Sequence, residues 1–163
     1  MSNVLIKKYV HQLQQAYYGG NWLDEDMEKK LRLINDENAF FKPDSYVHSV
    51  AEVVSHIVEW RKELLERFQF GRFPKLKIDS PNNWIPNDTL KRNGWAYLKA
   101  QLEETQGEIV ALLEAKDDSF LELNWAGQED YGHLVTGLIE HDIYHLGQIG
   151  LIYKMITHQS QTN

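Results

Sequence analysis

The chain has 163 residues, 42% of them hydrophobic, and its 17 basic and 24 acidic side chains give a net charge of -7. This length and apolar content predict one domain, residues 1–163, with a single core. From the acidic balance and the absence of a Lys/Arg cluster we exclude nucleic acid and an anionic membrane as partners, because both require a basic surface.

The composition also limits where the protein works and which metal ligands it has. There is no cysteine, so any metal must be bound by His or carboxylate side chains. The N-terminus lacks the apolar run of a signal peptide, and no stretch approaches the roughly 18 apolar residues needed to cross a bilayer. We therefore expect a cytoplasmic protein.

The first 70 residues contain signals for two long helices. Apolar residues recur at helical spacing from Val4 to Tyr17, with Ser2 as the predicted cap, and a short helix is predicted to start near Asp24. Ser49 then opens an S-x-x-E capping box, which predicts a second long helix over Val50–Phe70. On its helical wheel His56 lies at the rim of the apolar stripe.

The middle of the chain is predicted to hold a loop, a third helix and a second connection. Three prolines and Trp84 lie between Arg72 and Asp88, and this loop is predicted to be functional or to pack through Trp84. Asp88 is the predicted cap of a helix over Thr89–Lys116. Asp117–Gln128 is predicted to be a turn-rich connection.

The last long helix, Tyr131–Thr157, carries His141 and His145 four residues apart, on one face. Its cap is predicted to be Asp130. Asp142 lies on the inward arc among leucines and isoleucines, where an unpaired carboxylate is costly and an interior polar site is required. Ordinary core or rim histidines are the alternative interpretation, but it leaves Asp142 unexplained. Four long amphipathic helices predict an all-α four-helix bundle with long crossover connections.

The segments His48–Trp60 (HSVAEVVSHIVEW) and Gly137–Ile149 (GLIEHDIYHLGQI) resemble the DinB/YfiT-like superfamily of metalloenzymes. The resemblance spans nearly the whole chain, and its specific part is His56 combined with the H-D-x-Y-H-x-G-Q run at His141–Gln148. It implies a DinB-like bundle, often a homodimer, in which His56, His141 and His145 bind one divalent ion, nickel or zinc.

The resemblance implies a transferase that joins a thiol such as bacillithiol or glutathione to a small electrophile. Three neutral imidazoles leave an ion with open positions, which lowers the pKa of a bound water to about 7 or deprotonates a bound thiol. The alternatives are a hydrolase on the same site and a non-catalytic metal-binding or small-ligand-binding stress-response protein. A third interpretation has no metal. The expected partners are therefore a small-molecule substrate and a low-molecular-weight thiol; no catalytic residue is assigned.

Four further residues are candidates for the surroundings of the ion. Imidazole ligands need their second nitrogen held, so Asp142 and Glu52 are candidates for that contact. Gln148 and Tyr144 are candidates for contact with a bound water or substrate, although plain packing of Tyr144 is an equal alternative. A small and apolar face at the back of the last helix predicts a two-fold homodimer; its members are Ile139, Ile143, Gly147 and Gly150.

Overall fold

The computed structural model describes residues 2–73, 75–125 and 129–162, with side chains through His158. The described residues are all-α, as predicted, and form no strand. The helices are α1 (Val4–Tyr18), α2 (Met27–Arg32), α3 (Asp36–Ala39), α4 (Val50–Phe70), α5 (Asn87–Leu90), α6 (Trp95–Glu114) and α7 (Tyr131–Thr162), with a 3-10 helix at Asp118–Glu122. The end of the predicted turn-rich connection, residues 126–128, lies outside this description.

The four long helices form the predicted bundle. Helix α4 packs against α6 and α7, and α1 packs against the same two helices. The interior of the bundle contains two clusters of buried apolar side chains. One includes Val54, Leu102 and Ile149, and the other includes Leu13 and Val135. The two long connections carry α2 and α3 before α4, and α5 after it.

Helix α4, which carries His56, begins and ends where the sequence predicts. The Ser49 hydroxyl accepts a hydrogen bond from the Glu52 amide, and the Glu52 carboxylate accepts one from the Ser49 amide. At the other end Gly71 adopts the left-handed conformation, with φ at 60°, and its N–H donates to the Arg67 carbonyl. These two signals fix the length and register of the helix.

One predicted helix start and one predicted helix cap were wrong. Helix α6 begins at Trp95 instead of Thr89, because Gly94 has a φ of 81° that interrupts the helix and leaves α5 as a separate turn. The start of α1 is capped by Asp118, from a remote connection, and not by Ser2. The Asp118 carboxylate accepts from the amides of Val4 and Ile6.

Helix α7 begins at its predicted cap, since the Asp130 carboxylate accepts from the His133 amide at 2.7 Å. The face predicted to bind a second chain is partly covered by α2. A Cβ at Gly150 would lie 3.4 Å from the Lys30 Cε atom, so this glycine accommodates a side chain of the same chain. No described helix has both the length and the apolar character that a bilayer crossing requires.

A buried ion pair joins α4 to α7. The Arg61 guanidinium donates from Nη2 to Asp142 Oδ2 at 2.7 Å and from Nε to Oδ1 at 3.4 Å. Its Nη1 donates to the Leu102 carbonyl of α6, and its carbon lies 5.7 Å from the centre of the Tyr17 ring of α1. Both side chains are almost fully buried, at 1% and 3% exposure. One guanidinium of α4 therefore contacts the other three long helices.

Loss of one partner from this pair should destabilise the bundle strongly. Asp142→Ala leaves the Arg61 charge buried and unpaired, and we expect it to lower the free energy of unfolding by about 3–5 kcal/mol. Urea denaturation measures this. Glu140→Ala, an exposed carboxylate on the same helix, is the matched control and should change little. Replacing both partners, Arg61→Met with Asp142→Leu, should recover most of the loss. A single Asp142→Ala variant as stable as the control would contradict this account.

Candidate metal centre

Three histidine side chains from two helices meet at one point beside the ion pair. His56 comes from α4, and His141 and His145 come from successive turns of α7. The Nε2 atom of His141 lies 3.1 Å from the Nε2 atom of His56 and 3.1 Å from that of His145. Among the described residues these three form the group of side chains able to bind a metal ion. His56 and His145 are buried, and His141 is half-buried.

Two of the three imidazoles are oriented through their other ring nitrogen. His56 Nδ1 lies 2.8 Å from the Asn83 carbonyl oxygen, which can only accept, so this nitrogen carries the proton. His145 Nδ1 makes a 2.7 Å hydrogen bond to Gln148 Oε1. Both rings therefore present the lone pair of Nε2 to the centre of the group.

This arrangement fits a divalent cation. Nitrogens bound at about 2.0–2.1 Å to a tetrahedral ion lie about 3.3 Å apart, close to the 3.1 Å found here. Without a cation, the lone pairs of His56 and His145 share at most one proton, on His141 Nε2. If His141 carries its proton on Nε2, its Nδ1 atom has an unshared lone pair. That atom is buried and has no hydrogen-bond partner among the described residues. A cation would use all three Nε2 lone pairs at once.

The surroundings keep the three rings neutral, as metal binding requires. Burial lowers the pKa of His141 to about 3, and repulsion from His145 and His56 adds to this effect. Burial also lowers the pKa of His56 and of His145, although the hydrogen bonds that these rings donate to their neighbours oppose it. At neutral pH the group is therefore uncharged and carries free lone pairs.

Aromatic rings cover the His56 side of the group. Trp84, from the loop between α4 and α5, stacks on His56 with ring centres 4.1 Å apart and planes at 11°. His48 stacks on Trp84 at 3.7 Å. The Trp60 indole N–H donates to Asn83 Oδ1 at 2.9 Å, so the loop is fixed to α4 beside the histidine it orients. This stack shields one face of the His56 ring from water.

The structure shows which side chains the four further candidates contact. Asp142 pairs with Arg61 and not with an imidazole, so its predicted contact with a ligand was wrong. Glu52 accepts hydrogen bonds from Ser49, His48 and Asn87 at the start of α4, which also corrects its predicted role. Gln148 accepts a hydrogen bond from His145. It was predicted to contact a bound water or substrate. Tyr144 is 65% exposed and packs edge-on against His145.

Two residues of this centre were missed from the sequence. Asn83 acts partly through its backbone carbonyl, which leaves no trace in a residue pattern. Arg61 lies on α4 beside apolar residues, and its contact with Asp142 depends on how two distant helices pack. The signal that could have found it is the unpaired carboxylate itself, because a buried Asp142 requires a buried donor.

Comparisons with known proteins identify the family and a solved structure of similar fold. The DinB superfamily model matches residues 22–149. A solved structure with a similar fold is that of the colibactin self-resistance protein ClbS in complex with a dsDNA. It has 19% sequence identity and a TM-score of 0.68, and the alignment covers 91% of this chain and 95% of that one. No curated protein matches the chain.

The ClbS complex contradicts one prediction made from composition. Nucleic acid was excluded as a partner because the net charge is -7. A protein of this fold has nevertheless been solved with duplex DNA, so the exclusion was wrong. The net charge is the sum over all charged side chains, whereas a duplex contacts only part of the surface. A negative net charge therefore does not exclude DNA binding.

Glu52 gives the structure a pH dependence that can be measured. Burial raises the pKa of this carboxyl, but hydrogen bonds from Lys42, His48 and the Ser49 amide outweigh it, and the net pKa is lowered. A carboxyl with a lowered folded-state pKa stabilises the fold above its unfolded pKa, and that stability is lost as the pH falls through the folded value. We expect Glu52→Gln to flatten the fall in thermal midpoint between about pH 6 and about pH 3.

The comparison requires thermal unfolding of both proteins across this pH range. Glu108→Gln changes an exposed carboxyl of α6 in the same way and should follow the parent curve. If the Glu52→Gln curve keeps the parent's slope while its stability is lower at every pH, Glu52 acts through packing and not through its charge.

Proposed function

The chain belongs to the DinB superfamily, and we propose that it is a divalent-metal-dependent enzyme that joins a low-molecular-weight thiol to a small electrophile. The observation that supports this proposal is the convergence of three neutral imidazoles within 3.1 Å contacts. His56, His141 and His145 are the proposed ligands. Three protein ligands leave open positions for a reactant, whereas a closed structural site has four.

Zinc or nickel is the proposed ion, because imidazole nitrogen suits both and the chain offers no thiolate. When bound, such an ion would supply Lewis-acid chemistry and would lower the pKa of a thiol beside it. In the proposed reaction the thiol would lose its S–H proton to solvent, and its sulfur would form a bond to the electrophilic carbon as the leaving group departs with its electron pair.

The chain's own residues orient the imidazoles and limit access to them. Asn83 and Gln148 hold the rings of His56 and His145, so little reorganisation is needed when a reactant binds. Trp84 covers His56 and limits the approach of water on that side. Access is left on the His141 side, where the ring lines a cleft between α4 and α7.

Metal content and thiol conjugation test the proposal together. We expect the purified chain to bind about one zinc or nickel ion per chain and to catalyse conjugation of a low-molecular-weight thiol with 1-chloro-2,4-dinitrobenzene. His56→Ala should lose both properties, with metal affinity falling by more than about 100-fold. Gln148→Ala should weaken metal binding by about 10–100-fold, as the loss of an outer partner does. Elemental analysis, calorimetry and absorbance measure these outcomes.

His11→Ala is the matched control, because His11 is exposed on α1 and lies outside the group. It should keep the parent's metal content and rate. A His56→Ala variant that conjugates thiol as fast as the His11→Ala variant would end the proposed enzymatic function. A chain that binds metal but conjugates nothing would reduce the function to metal binding.

Duplex DNA is the second candidate ligand, supported by the ClbS complex. Here 24 acidic side chains outnumber 17 basic ones, so any binding must use a local basic surface and should weaken steeply with salt. If this candidate is right, fluorescence anisotropy with a labelled duplex of about 20 base pairs will show saturable binding at roughly 50 mM salt, and much weaker binding at roughly 200 mM. No binding at the lower salt concentration would remove this candidate.

A further inference from the structure

A cleft of about 190 Å³ lies between α4 and α7, and His141 is part of its wall. Half of the other lining residues are apolar: Trp60 and Leu64 from α4, Leu134 and Leu138 from α7. An apolar cavity of about 150 Å³ is known to hold a benzene molecule. The cleft therefore has room for one substituted benzene ring or a short alkyl chain beside His141.

Gly137 is the second observation that points to a ligand. It lies in the wall of this cleft, one helical turn before His141, inside the long helix α7. A glycine inside a helix is unfavourable by about 1 kcal/mol relative to alanine. A Cβ at Gly137 would meet no atom within 4 Å, so close packing within the chain does not require the glycine. Its effect is to keep this part of the cleft open.

The charges around the cleft favour a neutral ligand. Arg67 lies in the wall, but its Nε donates to the buried Glu63 carboxylate, which neutralises its charge locally. Glu129 and His133, also in the wall, pair with each other at 3.0 Å and are both largely exposed. The described lining therefore presents no unpaired cation to attract an anion.

We propose that this cleft binds the neutral aromatic or short alkyl group of the electrophile and presents its reactive carbon to the histidine group. The assignment of the ligand as the electrophile rests on the proposed function. Binding itself does not, because the cleft walls exist without a metal. Leu64, Leu134 and Leu138 enclose the apolar group, Trp60 offers a ring face, and Gly137 leaves the space that the group occupies.

The test uses the full chain freed of metal with a chelator, and 4-fluorobenzyl alcohol as a neutral probe observed by fluorine NMR. We expect saturable binding, and we expect Gly137→Leu to weaken it at least about tenfold, because the new side chain fills the cleft. Gly107→Leu is the matched control. Gly107 is also helical and a Cβ added there would also meet no atom within 4 Å, but it is exposed, whereas Gly137 is half-buried, and it lies on α6 away from the cleft. This variant should bind as the parent does.

Three results would overturn the proposal: no saturable binding to the parent chain, equal binding to the two leucine variants, or tighter binding of the anion 4-fluorobenzoate than of the alcohol. Circular dichroism of both variants shows whether the helices are intact, and Gly137→Ala provides a milder change if the leucine variant is misfolded. Probe binding without metal binding or thiol transfer would refute the proposed function alone. Metal binding and thiol transfer without probe binding would refute the cleft assignment alone.

Discussion

The buried contact between Arg61 and Asp142 is the constraint on which the histidine group depends. Two charges removed from water are tolerated only when they meet in good geometry, here at 2.7 Å, and the third guanidinium nitrogen, Nη1, donates to the Leu102 carbonyl. Arg61 follows His56 on α4, and Asp142 lies directly after His141 on α7. A shift of either helix by one residue would separate the charges. The pair therefore fixes the register in which histidines of different helices meet.

The loop between α4 and α5 provides a second constraint, and it acts on the orientation of one ring. Glu63 accepts hydrogen bonds from the amides of Lys75 and Leu76, which fixes the start of the loop to α4. Asn87 bonds to Glu52 and Ser49, which fixes its end to the first turn of the same helix. Between these anchors the Asn83 carbonyl is held against His56. A segment without regular structure thus positions a metal-ligand candidate because hydrogen bonds fix it at both ends.

The sequence predicts the parts of this structure that depend on local signals. The capping box at Ser49 and the left-handed Gly71 give α4, and four-residue spacing places His141 and His145 on one face. It fails where a contact joins distant segments: Asp118 caps α1, and Arg61 is the partner of Asp142. Gly94 is predicted to lie inside a helix because its neighbours keep helical spacing, but its φ is 81° and α6 begins after it, whereas α5 has already ended at Leu90. Periodicity predicts which face is buried but not which buried polar groups meet.

Helix α7 contributes residues both to the histidine group and to the wall of the cleft. His141 and His145 provide nitrogen atoms to the group, whereas Gly137, one turn earlier, provides empty space. The geometry of the histidines depends on Arg61, Asp142 and Gln148, none of which lines the cleft. A larger side chain at position 137 would therefore change which ligands fit without moving the nitrogens. The histidine group and the cleft wall share His141, but the other residues that support them make different contacts in the bundle.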